Sequence, residues 1–247
     1  FSGGIGWVLM LAKWSLLQDS LVLRFLYSPV DLYVTEGYTL LNFAQAPLFI
    51  LSQIALLGVM YYFVQFRESQ RYGIFILFSA IVAVLGIIHP YDIPMIAAVL
   101  GSWSVWYLWV SKDWRIFLKL GVVFLGALAA VVYNIAVLFA DPVLQSWYSQ
   151  NLVYSPRFSM YAWGYGLLIP LWAVGIVYLI REKRDNPSWM LFVIWSSIIW
   201  ILLYQPLEVS RRFINAWHIA FSVVAAYGFY ALWHRIRQGW IRTAFAI

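Results

Sequence analysis

The chain is 247 residues long, 64% hydrophobic and only 11% charged, a balance far from that of a soluble domain and matched to residence in a bilayer. Its net charge of +6 comes from Lys and Arg spread over short connections, not gathered on one face, which argues against a nucleic-acid partner and for a topological role. Cysteine is absent, so a disulfide framework and a thiolate metal site are excluded.

Residues 1–42 mix Trp7, Leu11, Trp14, Leu17 and Leu21 with Lys13, Gln18, Asp19 and Arg24. That pattern predicts an amphipathic segment lying in the outer membrane interface; the remnant of a truncated span is the competing reading. The start at Phe1-Ser2-Gly3-Gly4, without an initiating Met, leads us to expect a fragment or processed chain lacking an N-terminal piece. Asp31 and Glu36 stand in the approach to the first span. They are acidic candidates for a catalytic base or metal ligand, with a solvated loop charge as the alternative for each.

Crossing a hydrocarbon core as a helix takes about 20 apolar residues. Seven stretches qualify, at 43–66, 72–89, 91–111, 116–139, 161–180, 188–204 and 209–233, so the expected fold is all-α, a transmembrane helix bundle of about seven spans over residues 43–233. A basic tail, 234–247, follows. With alternating spans, one side gathers Arg67, Arg71, Lys112, Arg115, Lys119, Arg181, Lys183, Arg184, Arg235, Arg237 and Arg242, eleven of the sixteen cations. The positive-inside rule places that side in the cytoplasm, with the N-terminal segment outside and the C-terminal tail inside. Trp103, Trp106, Tyr107 and Trp109 read as interface belt and packing before a ligand cage.

Polar groups within such spans are costly and are therefore default functional candidates. Asn42, Gln45, Ser52 and Gln53 predict hydrogen bonds across helices. In His89-Pro90-Tyr91-Asp92 the proline ends one helix and Asp92 lies at the N-cap or in the first turn of the next, where free amides and the helix dipole stabilise its carboxylate; His89, a titratable ring at a helix end, is a candidate base or anion ligand. Arg211, Asn215, His218 and Ser222 recur at i, i+4, i+7 and i+11, one helical stripe expected to face the bundle interior. Arg211 and Arg212 form a guanidinium pair suited to phosphate oxygens, with pairing to Glu208 as the structural alternative. No His-Glu-x-x-His, Gly-Lys-Ser/Thr or Gly-x-Ser-x-Gly pattern occurs. A divalent metal stays open without a ligand motif to hold it.

In order, Phe1-Ser2-Gly3-Gly4-Ile5-Gly6-Trp7, Thr35-Glu36-Gly37-Tyr38-Thr39, Ala46-Pro47-Leu48-Phe49, His89-Pro90-Tyr91-Asp92, Ser149-Gln150-Asn151, Ser155-Pro156, Gly164-Tyr165-Gly166 and Arg211-Arg212 through His218 resemble the later part of polytopic bacterial membrane proteins related to the GT-C glycosyltransferases, including lipid-linked mannosyltransferase-like proteins. The resemblance implies a membrane transferase, in the bacterial inner or plasma membrane, whose outward-facing site takes a sugar from a polyprenyl-phosphate donor. It implies an essential acid in a large external loop after a first span. We expect that loop to belong to the missing N-terminal piece, so the role is not transferred to Asp31 or Glu36; His89 and Asp92 remain weak catalytic candidates, and Arg211, Arg212, Asn215 and His218 are expected to bind substrate. A transporter or lipid flippase and a non-catalytic membrane scaffold are the alternatives.

Overall fold

The computed structural model describes residues 30, 34, 47–150, 152–206 and 209–235. The proposed interfacial segment and the basic tail fall almost entirely outside these residues. Among the described residues the fold is all-α. It runs α1 (Pro47–Gln65), α2 (Tyr72–Ile88), α3 (Asp92–Ser111), α4 (Arg115–Ala140), α5 (Pro142–Gln150), α6 (Phe158–Tyr165), α7 (Leu168–Glu182), α8 (Pro187–Leu203), a 3₁₀ turn (Ser210–Ile214) and α9 (Trp217–Arg235).

The expectation of seven spans is corrected. Among the described residues three helices are long and apolar enough to cross a membrane, α1, α3 and α4, and a fourth arises if α6 and α7, bent by 90°, count as one span. The reasons lie in chain breaks and length. Helices α2 and α8 are apolar but have 17 residues each, about 25 Å at 1.5 Å per residue, against a hydrocarbon core of about 30 Å. The fifth stretch is broken at Gly166, whose φ of 52° and ψ of −124° suit a residue without a Cβ. The seventh is not one helix, because the chain leaves the 3₁₀ turn at Asn215 and Ala216 takes a φ of 59° before α9 begins.

Apolar side chains are nevertheless turned outward. On α4, Leu125, Leu128, Val132, Ile135 and Phe139 are exposed, a stripe along one face of a 26-residue helix. An aqueous surface does not sustain such a stripe; lipid does, and the long apolar helices associate with a membrane.

Two close helix crossings organise the bundle. A Cβ at Gly126 of α4 would fall into the Ser79 carbonyl of α2, and Cβ atoms at Gly175 of α7 and Gly228 of α9 would fall into the carbonyls of Val224 and Leu171. The second crossing is reciprocal, each helix offering a glycine to the other's backbone. This is the small-residue contact by which helices pack where solvent provides no hydrophobic drive. Phe63 of α1 meets Phe75 of α2 and Trp103 of α3 edge to face, and all three are fully buried.

The bundle has two chemically distinct ends. At one, Gln65 bonds Ser188, Arg67 lies over Tyr107, Arg184 over Trp109 and Lys119 donates to the Arg67 carbonyl. These contacts gather the connections that carry Arg67, Arg71, Lys112, Arg115, Lys119, Arg181, Lys183 and Arg184. At the other end, Ser155 bonds Ser210, Tyr204 donates to the Pro156 carbonyl and Arg212 approaches Tyr91.

Candidate functional site

The second end holds a buried polar network. Ser52 and Gln53 project from the N-terminal half of α1, Asp92 opens α3, and Asn215 sits in the extended link before α9, every one of them at most 3% exposed. Asn215 Nδ2 donates to Ser52 Oγ at 2.8 Å and to Asp92 Oδ1 at 3.0 Å, while its Oδ1 accepts from Gln53 Nε2 at 3.2 Å. The Ser52 hydroxyl donates to Asp92 Oδ2. Both carboxylate oxygens are thus occupied by neutral donors from α1 and from the link, 40 and 123 residues away.

Of the two places the sequence allows for Asp92, the structure has the first turn of α3 and not the N-cap. Tyr91 is the N-cap residue and no side-chain cap bond forms; the carboxylate turns sideways instead. His89, in the turn just before it, brings Nδ1 to 3.0 Å from Asp92 Oδ1, without the alignment of a hydrogen bond. Its ring stands edge-on to Phe49 and Tyr91. The network therefore ties the α2–α3 turn to α1 and to the start of α9.

Other expected site residues are placed differently. Arg211 and Arg212 lie in the 3₁₀ turn and are half-buried. Arg211 fixes its backbone to the Val153 carbonyl, and the Arg212 guanidinium stands 5.8 Å from the centre of the Tyr91 ring, a cation–π distance. His218 and Ser222 stay together on α9, with Ser222 Oγ 3.4 Å from Nε2, and Asn215 and His218 are buried as expected; the break at Asn215 and Ala216 separates the α9 pair from Arg211, and the His218 ring stacks on Tyr165. The helical stripe of four polar residues is corrected for the same reason, because its members do not share one helix. Asp31, Glu36, Asn42, Gln45 and Glu208 lie outside the described residues.

Tyr91 also lines a cleft of about 380 Å³ bounded by Pro94, Ile135, Leu138, Leu144 and Phe213. One residue of its wall was not singled out in the sequence. Asn134 donates to the Gly86 and Ala130 carbonyls, joining α4 to the last turn of α2; its only sequence signal is an amide inside an apolar helix. A second groove, about 320 Å³, runs between α1 and α2 with Leu51, Ser52, Ala55, Val84 and Ile88 along it. Just outside the helices Tyr204 is about half-exposed, and partial burial of its phenol raises it to about 12.

Comparison with protein-family models, curated proteins and solved structures finds no match to this chain. With three membrane-grade helices among the described residues, or four counting the bent pair, the GT-C resemblance is corrected: the described architecture falls well short of the many spans such a transferase requires. The expected extracytoplasmic glycosyltransferase falls with it, together with its polyprenyl-phosphate sugar donor. Among the described residues no three His, Asp or Glu side chains converge, and Asp92, the carboxylate at the heart of the site, is enclosed by Ser52, Asn215 and His89.

Proposed function

We propose that the chain is a membrane-embedded binding protein for an anionic lipid, with Arg211 and Arg212 receiving the phosphate and the adjacent cleft receiving the hydrocarbon. The observation that carries this reading is the position of the Arg212 guanidinium over Tyr91, at the rim of a mainly apolar cleft. Arginine offers a planar fork of donors to phosphate oxygens, and the cleft volume falls in the usual range for small-molecule sites. In this reading His89, Asp92 and Asn215 are positioning residues. They fix Tyr91 on one side and the 3₁₀ turn on the other, so that the cation and the cleft keep their register. His218 secures the opposite face of α9 by packing.

The same proposal orients the bundle. Among the described residues the basic end carries nine cations, the eight named above and Arg235, which stands over Tyr178; the other end has Arg157, Arg211 and Arg212. That asymmetry favours the basic end in the cytoplasm, the cleft outside, residues 1–42 outside and the tail from 234 inside.

The test is binding of dioleoyl phosphatidylglycerol and dioleoyl phosphatidylcholine to the purified chain in detergent, with wild type and Arg212→Gln. A charge-assisted contact contributes about 1.5–3 kcal/mol, so wild type should prefer the anionic lipid at least tenfold and the variant should lose most of that preference. Equal binding of both lipids by wild type overturns the proposal.

A further inference from the structure

We infer that the lipid is a two-chain phospholipid that straddles the α2–α3 turn, one chain in each of the two apolar grooves. This rests on the anionic-lipid reading above and names the class of lipid. The cleft beside Arg212 begins at Pro90 and Tyr91, whereas the groove between α1 and α2 ends at Ile88. Ile88 and Pro90 are two residues apart, so their Cα atoms are separated by at most about 7.6 Å. The turn is therefore a narrow ridge with an apolar trough on each side.

The two troughs are similar in volume, about 320 and 380 Å³, and different in wall. The first is formed by Leu51, Ala55, Ala80, Ile81 and Val84 with the Ser52 hydroxyl at its end, and that hydroxyl is already committed to Asp92. No polar group is left there to hold a headgroup, so this trough suits hydrocarbon alone. The charge lies on the other side of the ridge, where Arg212 stands over Tyr91. An anionic phosphate placed at Arg212 has one chain directed into the adjacent cleft. A second chain on the same glycerol need only cross the ridge to reach the α1–α2 groove. The ridge itself is held down by Asp92, so it offers a fixed saddle.

In the bilayer both chains are already in hydrocarbon, so the second groove adds affinity through packing alone. The experiment is competition at equal mole fraction in nanodiscs, read by native mass spectrometry of the released complex. The probes are dipalmitoyl phosphatidylglycerol, 1-palmitoyl lysophosphatidylglycerol and dipalmitoyl phosphatidylcholine, and the chain is wild type, Ala80→Trp and Leu138→Trp. The two-chain anionic lipid should outcompete its single-chain form by roughly tenfold, equivalent to about 1.4 kcal/mol. Ala80→Trp, which fills the α1–α2 groove, should abolish that advantage while leaving lysophosphatidylglycerol binding unchanged; the retained binding also reports that the variant is folded. Leu138→Trp should weaken both anionic lipids. Equal occupancy by one-chain and two-chain phosphatidylglycerol overturns the two-groove inference and leaves the anionic-lipid reading intact. Equal occupancy by phosphatidylglycerol and phosphatidylcholine overturns that reading itself. Should Ala80→Trp misfold, a series of phosphatidylglycerols with the second chain shortened to acetyl makes the same distinction in wild type: a flat series sinks the inference, and a graded loss supports it.

Discussion

Replacing Asn215 by Leu removes the amide that joins the two halves of the site while keeping the side-chain volume close. Three bonds are lost, those to Ser52 and Asp92 and the one from Gln53. The bond to the carboxylate contributes about 1.5–3 kcal/mol and each neutral bond about 0.5–1.5, while interhelical bonds in membranes fall toward the low end of such ranges. The expected destabilisation is about 3 kcal/mol, roughly a hundredfold in the folding equilibrium. Equilibrium unfolding in bicelles measures it. Asp92 then stays buried with one donor fewer, so removing it as well should recover part of the loss. Asp92→Leu combined with Asn215→Leu is expected to cost at least about 1 kcal/mol less than the sum of the single changes. If Asn215→Leu lies within about 0.5 kcal/mol of wild type, or if the cycle is additive, Asn215 does not tie the turn to α9, and the positioning role fails.

Gly126→Ala should destabilise by several kcal/mol because its methyl meets the Ser79 carbonyl, whereas Gly121→Ala on the same helix meets nothing within 4 Å and should be neutral or stabilising by up to about 1 kcal/mol; equal effects in thermal melts would contradict the α2–α4 crossing. Because burial raises Tyr204 to about 12, the neutral phenol is the form the fold prefers: its contribution is complete below the unfolded value near 10 and is lost as pH rises through about 12. Difference ultraviolet spectra between wild type and Tyr204→Phe should show no tyrosinate from this residue at pH 10.5, and a normal titration there would refute that shift. With no native cysteine, Ser111→Cys and Tyr154→Cys probe the two ends cleanly; an impermeant thiol reagent on intact cells is expected to label Cys at 154 and spare that at 111, and the opposite pattern reverses the orientation.

Helix type was legible from the apolar runs, and the loops at 67–71, 112–114 and 183–186 were marked by their cations. Span number was not. A hydropathy window registers apolar content but not the φ values of Gly166 and Ala216, which divide two stretches that look continuous. Of the site, Asp92, His89 and Asn215 stood out because polar residues are rare in such segments, and Ser52 and Gln53 were read as bridging helices. Their mutual partners were out of reach, since Ser52 and Asn215 are 163 residues apart and no local rule couples them. The arginine pair was visible as chemistry, while the cleft beside it depended on helix lengths and crossings that only coordinates reveal.

Asn134 of α4 meets the carbonyl of Gly86, near the end of α2. From that point α2 has only Ile87 and Ile88 left while α4 continues to Ala140, an overhang of about four residues, or about 6 Å. The cleft is therefore the hollow beneath a cantilever, created by two tightly paired helices of unequal length. Its depth is set by residue count more than by side-chain identity. One extra turn inserted in α2 after Gly86 would prop the overhang and erase the hollow, though every arginine and every member of the polar network remained in the sequence.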